Sequence, residues 1–368
     1  RRGDSLANDR HPHARFDYLI TALPTRVNWR HAREAVEAEH ARGFEGRFGA
    51  GLTRTGDGWL LFLQHMIHHM KDARDGGSRV AALSNVDPLH VGEAGSGESE
   101  IRRWILENDW LEAVIALPDH ALQNTSAPTY IWVLAKGKPP GRAERVVLID
   151  ARDRWAKLRK SIGGKSKYLT GDQLEELTRL YTDAMTAAER GTQPMPAGTR
   201  LHTTRDFGYQ RIVVEHPLRL RFEVTDAGLA GLRSLRVVES YAKRDRLLTA
   251  LAAVKGTFAT RAEFQRRLEA AIGDLDTLPG PVRRAVLAAV SKPDPAGEAQ
   301  SGPDGTPLPD PDLRETVRLP LSESADDHLA HHVRPRSPDA WLDSTRSRIG
   351  YEIALPLFFT AGWGDRFE

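Results

Sequence analysis

Phe16 to Ile20 is a five-residue run that leads into the segment Ala22-Leu23-Pro24-Thr25. Its apolar character reads as a buried parallel strand, and Pro24 cannot continue a ladder, so the chain must turn there. Loops at the carboxyl ends of strands in open α/β sheets are where ligands bind, which makes this turn a candidate site. A second concentration of chemistry is ARDRWAKLRKSIGGKSK, Ala151 to Lys167, with Arg152, Arg154, Lys157, Arg159, Lys160, Lys165 and Lys167. Cations at this density suit phosphate contact, because neutralising phosphates releases counterions; a solvated loop is the competing reading. In GFEGRFGAGLTRTGDG, Phe44 to Gly58, Arg47 and Arg54 are interleaved with glycine and phenylalanine. That pattern reads equally as a loop reaching phosphates and as a loop merely marked by its glycines. His65, His68 and His69 fall at i, i+3, i+4, and His328, His331 and His332 repeat the spacing. Neither group has an adjacent carboxylate to complete a metal site, so both are expected to be helix-face histidines with no metal. GEAGSG, within Asn85 to Gly97, does not sit directly between strand and helix as a dinucleotide fingerprint requires.

The elements that must position these residues follow from hydrophobic period. Trp59 to Lys71 predicts a helix with Leu60, Leu63, Ile67 and Met70 on one side, and Arg79 to Ser84 predicts the next parallel strand. Ser99 reads as the cap of a helix over Glu100 to Asn108, with Ile101, Trp104 and Ile105 inward. Leu111 to Leu117, Thr129 to Ala135 and Val146 to Ile149 are further strands, and Thr170 opens a helix carrying Leu174, Leu177, Leu180 and Tyr181. Phe207 to Val224 alternates as two short strands or a hairpin, broken at Pro217. Helices fill 225–290, and the Pro-, Gly- and Asp-rich residues 291–312 read as a mobile linker.

Composition sets bounds on the rest. The chain has 368 residues and a formal net charge of +2, so nucleic-acid affinity must come from local patches. There is no cysteine, which excludes disulfides and thiolate metal sites and is consistent with an intracellular, cytoplasmic home. No apolar run approaches the roughly 18 residues that span a bilayer. RRGDSLANDRHPHARF has no apolar core segment, so it is not a signal peptide.

FDYLITALPTRVNW resembles the strand and turn of N6-adenine DNA methyltransferases, whose turn reads Asn/Asp-Pro-Pro-Phe/Tyr. The resemblance extends through GFEGRFGAGLTRTGDGWLLFLQHMIHHMK, SGESEIRRWILENDWLEAVIALPDH, NTSAPTYIWVLAKGKPP and VVLIDARDRWAKLRKS, and resumes in PDPDLRETVRLPL and SPDAWLDSTRSRIGYEI. Together these stretches are similar to the methyltransferase (modification) subunit of type I restriction–modification systems. The resemblance implies S-adenosylmethionine as cofactor, DNA as substrate, and specificity and restriction subunits as partners, with no membrane. It places Ala22, Leu23, Pro24 and Thr25 on the catalytic turn, and Asp4, in a segment resembling Gly-Asp-Thr, near the cofactor. It also raises the phosphate-contact reading of Arg152, Arg154, Lys157, Arg159 and Lys160, beside the candidates Arg47 and Arg54.

On that turn only Pro24 fits. An adenine amino group is a poor nucleophile because its lone pair is delocalised into the ring. The family's Asn or Asp oxygen and a following backbone carbonyl accept its two hydrogens, while the aromatic residue stacks on the flipped base, worth about 1–3 kcal/mol. Ala22 has no acceptor and Thr25 no ring, so methylation by this chain alone is expected to be weak or absent. The expected architecture is α/β: the C-terminal half of a doubly wound, Rossmann-like sheet, then a mainly helical region. Residues 1–187 would form a partial catalytic domain, 188–224 a linker with short strands, 225–290 a helical region, 291–312 a flexible linker and 313–368 a tail. The fifteen residues before Phe16 cannot hold the glycine-rich turn that grips S-adenosylmethionine in this family. With arginine first, the chain is expected to begin partway through a domain and to borrow or lack that cradle. The runner-up function is a non-catalytic component of a defence complex that binds DNA or a specificity subunit.

Overall fold

A computed structural model of the chain describes residues 3–23, 26–272, 278–355 and 359. Two compact units divide it, Arg1–Ile212 with Val317–Ala325 and Thr345–Glu368, and Val213–Thr316 with Asp326–Ser344. The first holds a six-stranded mixed sheet. Its strands are β1 (Tyr18–Ala22), β2 (Ser78–Ser84), β3 (Leu111–Ala116), β4 (Tyr130–Lys136), β5 (Arg145–Asp150) and, after the separate hairpin of β6 (Ala156–Ile162) and β7 (Lys165–Tyr168), β8 (Thr199–Thr203). The spatial order is β1-β2-β4-β3-β5-β8. β1 runs parallel to β2 and β3 parallel to β5, while β4 is antiparallel to both its neighbours and β8 antiparallel to β5.

Helices α1 (Arg33–His40), α2 (Trp59–His68), α3 (Asp87–His90), α4 (Gly97–Glu107) and α5 (Gly171–Arg190) complete this unit. Because side chains alternate along a strand, the sheet has two cores. Val80, Trp132, Leu134, Val114 and Leu148 face Leu63 and Ile67 of α2 and Ile101 and Ile105 of α4. Ala113, Ile115, Val147 and Ile149 face Leu177, Ala184 and Met185 of α5. Local chemistry sets the helix ends. Thr170 and Gln173 form a reciprocal capping box at the start of α5, and Gly191, at φ 66°, ends it in the left-handed region. Ser96, not Ser99, caps α4: its Oγ accepts from the Ser99 N–H. Ser99 lies buried in the first turn and accepts from the Tyr351 N–H instead.

β1 departs from the sequence reading. It is parallel to β2 as expected, but Tyr18 is 76% exposed and Ile20 86%. Both side chains lie on the sheet face that α5 covers at β3 and β5, and among the described residues β1 pairs only with β2. Apolar character alone cannot reveal this, because burial is a property of a strand's neighbours.

The second unit is built on the strand Arg219–Val224, which pairs antiparallel with Gly256–Phe258, Ser291–Pro293 and Glu298–Ala299. Residues 291–312 therefore supply two of its strands. The helices Asp226–Arg233, Arg244–Ala253, Arg261–Ile272 and Gly280–Val290 pack around Phe222, Leu247, Leu251, Phe264 and Leu268.

Two buried arginines tie distant segments of the first unit. Arg102 on α4 donates to the carbonyls of Tyr351, Pro88, Val91 and Gly92. Burial pushes its guanidinium down to about 10, which leaves it charged at neutral pH. Arg47 is 6% exposed; it pairs with Glu39, donates to the carbonyls of Ser5 and Leu6, and donates to His65 Nδ1 at 2.9 Å. His69 bridges the Ala14 carbonyl and Asp9. Asp9, His65 and His69 bring ligand atoms within 4.8 Å of one another. The nitrogens His65 Nδ1 and His69 Nδ1 and Nε2 are already engaged in hydrogen bonds, so the cluster acts as a clasp on residues 5–14.

Replacing Arg102 by Met strands two buried and two partly buried carbonyls, and urea unfolding is expected to show a loss of about 3 kcal/mol or more. Burial first, then the charges of His69 and Arg47, push His65 down to about 4. A histidine whose folded value lies below its unfolded value contributes fully above the unfolded value, near 6.5, and loses that contribution as pH falls toward 4. The urea midpoint should therefore drop as pH falls below about 6.5, ahead of carboxylate titration, and His65→Gln should flatten that drop.

Candidate functional site

The parallel strands share one carboxyl end. Ala22 of β1 lies beside Leu83 of β2, Ser84 beside Tyr130, Tyr130 beside Ala116, and Ala116 beside Asp150. Four interstrand steps separate β1 from β5, about 19 Å at roughly 4.8 Å each. Ala22 is exposed and Leu23 half-buried; Pro24 and Thr25 lie outside the described residues. Arg26 follows at φ 54°, the left-handed conformation of a tight turn.

Two indoles brace this end. Trp59, at the start of α2, donates Nε1–H to the Leu83 carbonyl at 3.0 Å, and Trp132 donates to Ser84 Oγ at 3.1 Å. Asp57, one residue before the Gly58 N-cap, accepts from the Trp59 N–H. The loop before α2 is fastened to the segment after β1, with the Trp29 Nε1–H on the Arg54 carbonyl and the Gly58 N–H on the Val27 carbonyl. As a result Arg26 and Arg54 converge on Asp87, at 3.5 and 3.7 Å. Their side chains remain 76% and 50% exposed, so both can still turn toward a phosphate. The sequence reading found Arg54 but missed Arg26 and Asp87; the signal for Arg26 was its place directly after the turn. Asn85 Oδ1, in the loop after β2, is buried with no hydrogen-bond partner among the described residues.

At the β5 side of the same end stands the hairpin of β6 and β7. Its turn is Gly163-Gly164, at φ 56° and 84°, a pair of left-handed positions that favours glycine. The loop after β3 holds it. The Ser166 and Lys167 N–H groups donate to the His120 carbonyl, the Asn124 N–H donates to the Gly163 carbonyl, and Lys167 pairs with Asp119 while lying 4.2 Å over the Trp155 ring. Lys157, Arg159 and Lys160 are exposed along β6, and among the described residues none meets a carboxylate. Arg152 and Arg154 are differently placed. Arg152 makes a two-pronged pair with Asp150, which also holds that carboxyl well below the usual range; Arg154 pairs with Glu176 and donates to the Asp150 carbonyl.

The expected DNA contacts therefore separate. Arg54, half-exposed between Asp57 and Asp87, and the exposed Lys157, Arg159 and Lys160 are brought to one end of the sheet. Arg152 and Arg154 are committed within the chain. Arg47 is buried with its guanidinium spent on internal partners, which corrects its reading as a phosphate contact; Glu39, eight residues earlier, captured it. Asp4 accepts from the Leu6 N–H at 3.0 Å and pairs with His31 at 2.8 Å. That carboxylate fixes the local turn.

A family model for N-6 DNA methylases matches residues 1–194. The type I restriction enzyme MjaIX methylase subunit of Methanocaldococcus jannaschii is 26% identical over 176 residues, 47% of this chain and 29% of that protein. The HindI methylase subunit of Haemophilus influenzae is 28% identical over 149 residues, 40% of this chain and 30% of that protein. The matched stretch thus spans under a third of either relative's length. Among solved structures, the type I restriction-modification system methyltransferase subunit from Streptococcus thermophilus aligns with a TM-score of 0.43 and 22% identity, covering 55% of this chain and 37% of that one. With more than half of its residues under the family model, the chain belongs to the N-6 DNA methylase family.

Proposed function

We propose that this chain is the modification-subunit portion of a type I restriction–modification enzyme whose own catalytic turn is impaired. Duplex DNA would lie along the carboxyl end of the sheet, with a target adenine at β1 and the backbone on the β6–β7 ribbon. The observation that carries this reading is Ala22, exposed at the carboxyl end of β1, where a methyl group stands in place of a hydrogen-bond acceptor. An acceptor at this position draws one amino hydrogen of adenine and turns the nitrogen lone pair outward; a backbone carbonyl takes the other hydrogen. Ala22 leaves half of that orientation undone. The family's methyl donor is S-adenosylmethionine. Asp4 is already engaged by the Leu6 N–H and His31, and this reading assigns no residue of the chain to the donor.

In methyl-transfer assays with tritiated S-adenosylmethionine, DNA and a specificity subunit, the unaltered chain should label adenine at background level. With a cofactor-binding methyltransferase segment supplied in trans to both proteins, Ala22→Asn should label about 100-fold above the unaltered chain, the order that one transition-state hydrogen bond contributes. Equal labelling by both proteins would overturn the reading.

The unneutralised ribbon favours a second reading, a component that binds DNA or the specificity subunit without chemistry, in a complex that also holds the restriction subunit. Both readings expect phosphate contact at Lys157, Arg159 and Lys160. Each alanine substitution there should lower the slope of log affinity against log salt by about 0.9, whereas Arg47→Ala and Arg152→Ala should leave the slope unchanged in folded protein.

A further inference from the structure

A cavity of about 810 Å³ opens at the opposite, amino end of the sheet. Lys71, just before β2, Lys136, at the end of β4, and Trp110, just before β3, line it, and the register puts Lys136 beside Ser78 at the start of β2. Seven residues of β2, about 23 Å at roughly 3.3 Å each, separate it from the Ala22 end. It belongs to none of the chemistry above.

One wall is an aromatic ladder. Phe44 stacks on Trp104 with centroids 6.1 Å apart at 25°, Trp104 meets Trp110 edge-on at 4.7 Å, and Lys136 lies 4.8 Å over the Trp110 ring. Phe44 is 72% exposed, yet its loop is tightly built. A Cβ at Gly46 would lie 2.0 Å from the Glu39 carbonyl oxygen, and one at Gly49 would lie 2.3 Å from that of Gly43. The ring is thus presented by close-packed backbone, where an apolar side chain would otherwise turn inward. The facing wall is cationic. Lys71 meets Asp17, Lys136 meets Asp72, and Arg74 reaches both Asp72 and Asp75, so the carboxylates at the rim are already engaged. Arg15 is the lining cation left without a carboxylate among the described residues; it donates only to the carbonyls of Pro12 and Ala14.

We propose that this cavity binds an unpaired nucleotide, its base stacked on Phe44 and its phosphate held by Arg15. An exposed π-face and a guanidinium that meets no carboxylate among the described residues, lining one cavity, match a base and its phosphate. The same chemistry is offered by a free nucleoside monophosphate and by a single-stranded DNA end.

Isothermal titration of the full chain with AMP, adenosine, inorganic phosphate and a 5′-phosphorylated oligo(dA) tests this. Saturable AMP binding is expected, about tenfold weaker in Phe44→Ala, in the range lost with one stacking contact. Truncating an exposed ring leaves the core intact, so that loss reports the site. Arg15→Ala should erase the preference for AMP over adenosine. Binding of the oligonucleotide but not of AMP would assign the site to a strand end, with the same dependence on Phe44. Absence of saturable binding by AMP and oligonucleotide at millimolar concentration overturns the proposal, as does inorganic phosphate binding as tightly as AMP.

Discussion

Two indole N–H groups brace the carboxyl end of β2, beside the segment that follows β1. A strand end leaves carbonyls without a ladder partner, and such groups must be satisfied if they are covered. Trp59 takes the Leu83 carbonyl and Trp132 takes Ser84 Oγ, with the two rings 5.4 Å apart at 43°. One indole belongs to α2 and the other to β4, so a helix and an antiparallel strand are locked to the same point. The loop ahead of α2 is bound in turn to the segment after β1. Without this brace, Arg26, Arg54 and Asp87 would have no reason to meet.

Much of the first unit was legible in the sequence because its signals are local. The strands at Arg79, Leu111, Thr129 and Val146, the amphipathic stripe of α2 and the Thr170 cap all follow from spacing and side-chain type. The partners of those elements did not follow. Tyr18 and Ile20 have the composition of a buried strand, but exposure depends on what lies beside β1. Ser96 and Ser99 are equally good caps by type; the backbone chose the first, and the second was recruited by Tyr351, 252 residues away.

Charge illustrates the same limit at the site. The run from Arg152 to Lys167 reads as uniform cation density, yet its members differ in what they can do. Arg152 and Arg154 sit where β5 ends, within reach of Asp150 and α5, and a guanidinium takes a bidentate carboxylate whenever one is close. Lys157, Arg159 and Lys160 lie on a ribbon that carries no acidic residue, so their charge stays available to solvent. The Gly163-Gly164 turn that makes this ribbon lies between two basic runs, where cations on both faces of β6 obscure the alternation that marks a strand.

Position 22 separates folding from chemistry. Its side chain is exposed at the end of β1 and packs against no core, so an asparagine there would be met by water as readily as the alanine is. Stability therefore exerts no pressure on the choice, and only the need to orient an amino group would hold an acceptor in place. The indole brace, the Asp87 meeting point and the basic ribbon are different, since each depends on packing or on pairs made within the chain. The residue at position 22 can thus change while the rest of that end of the sheet is kept.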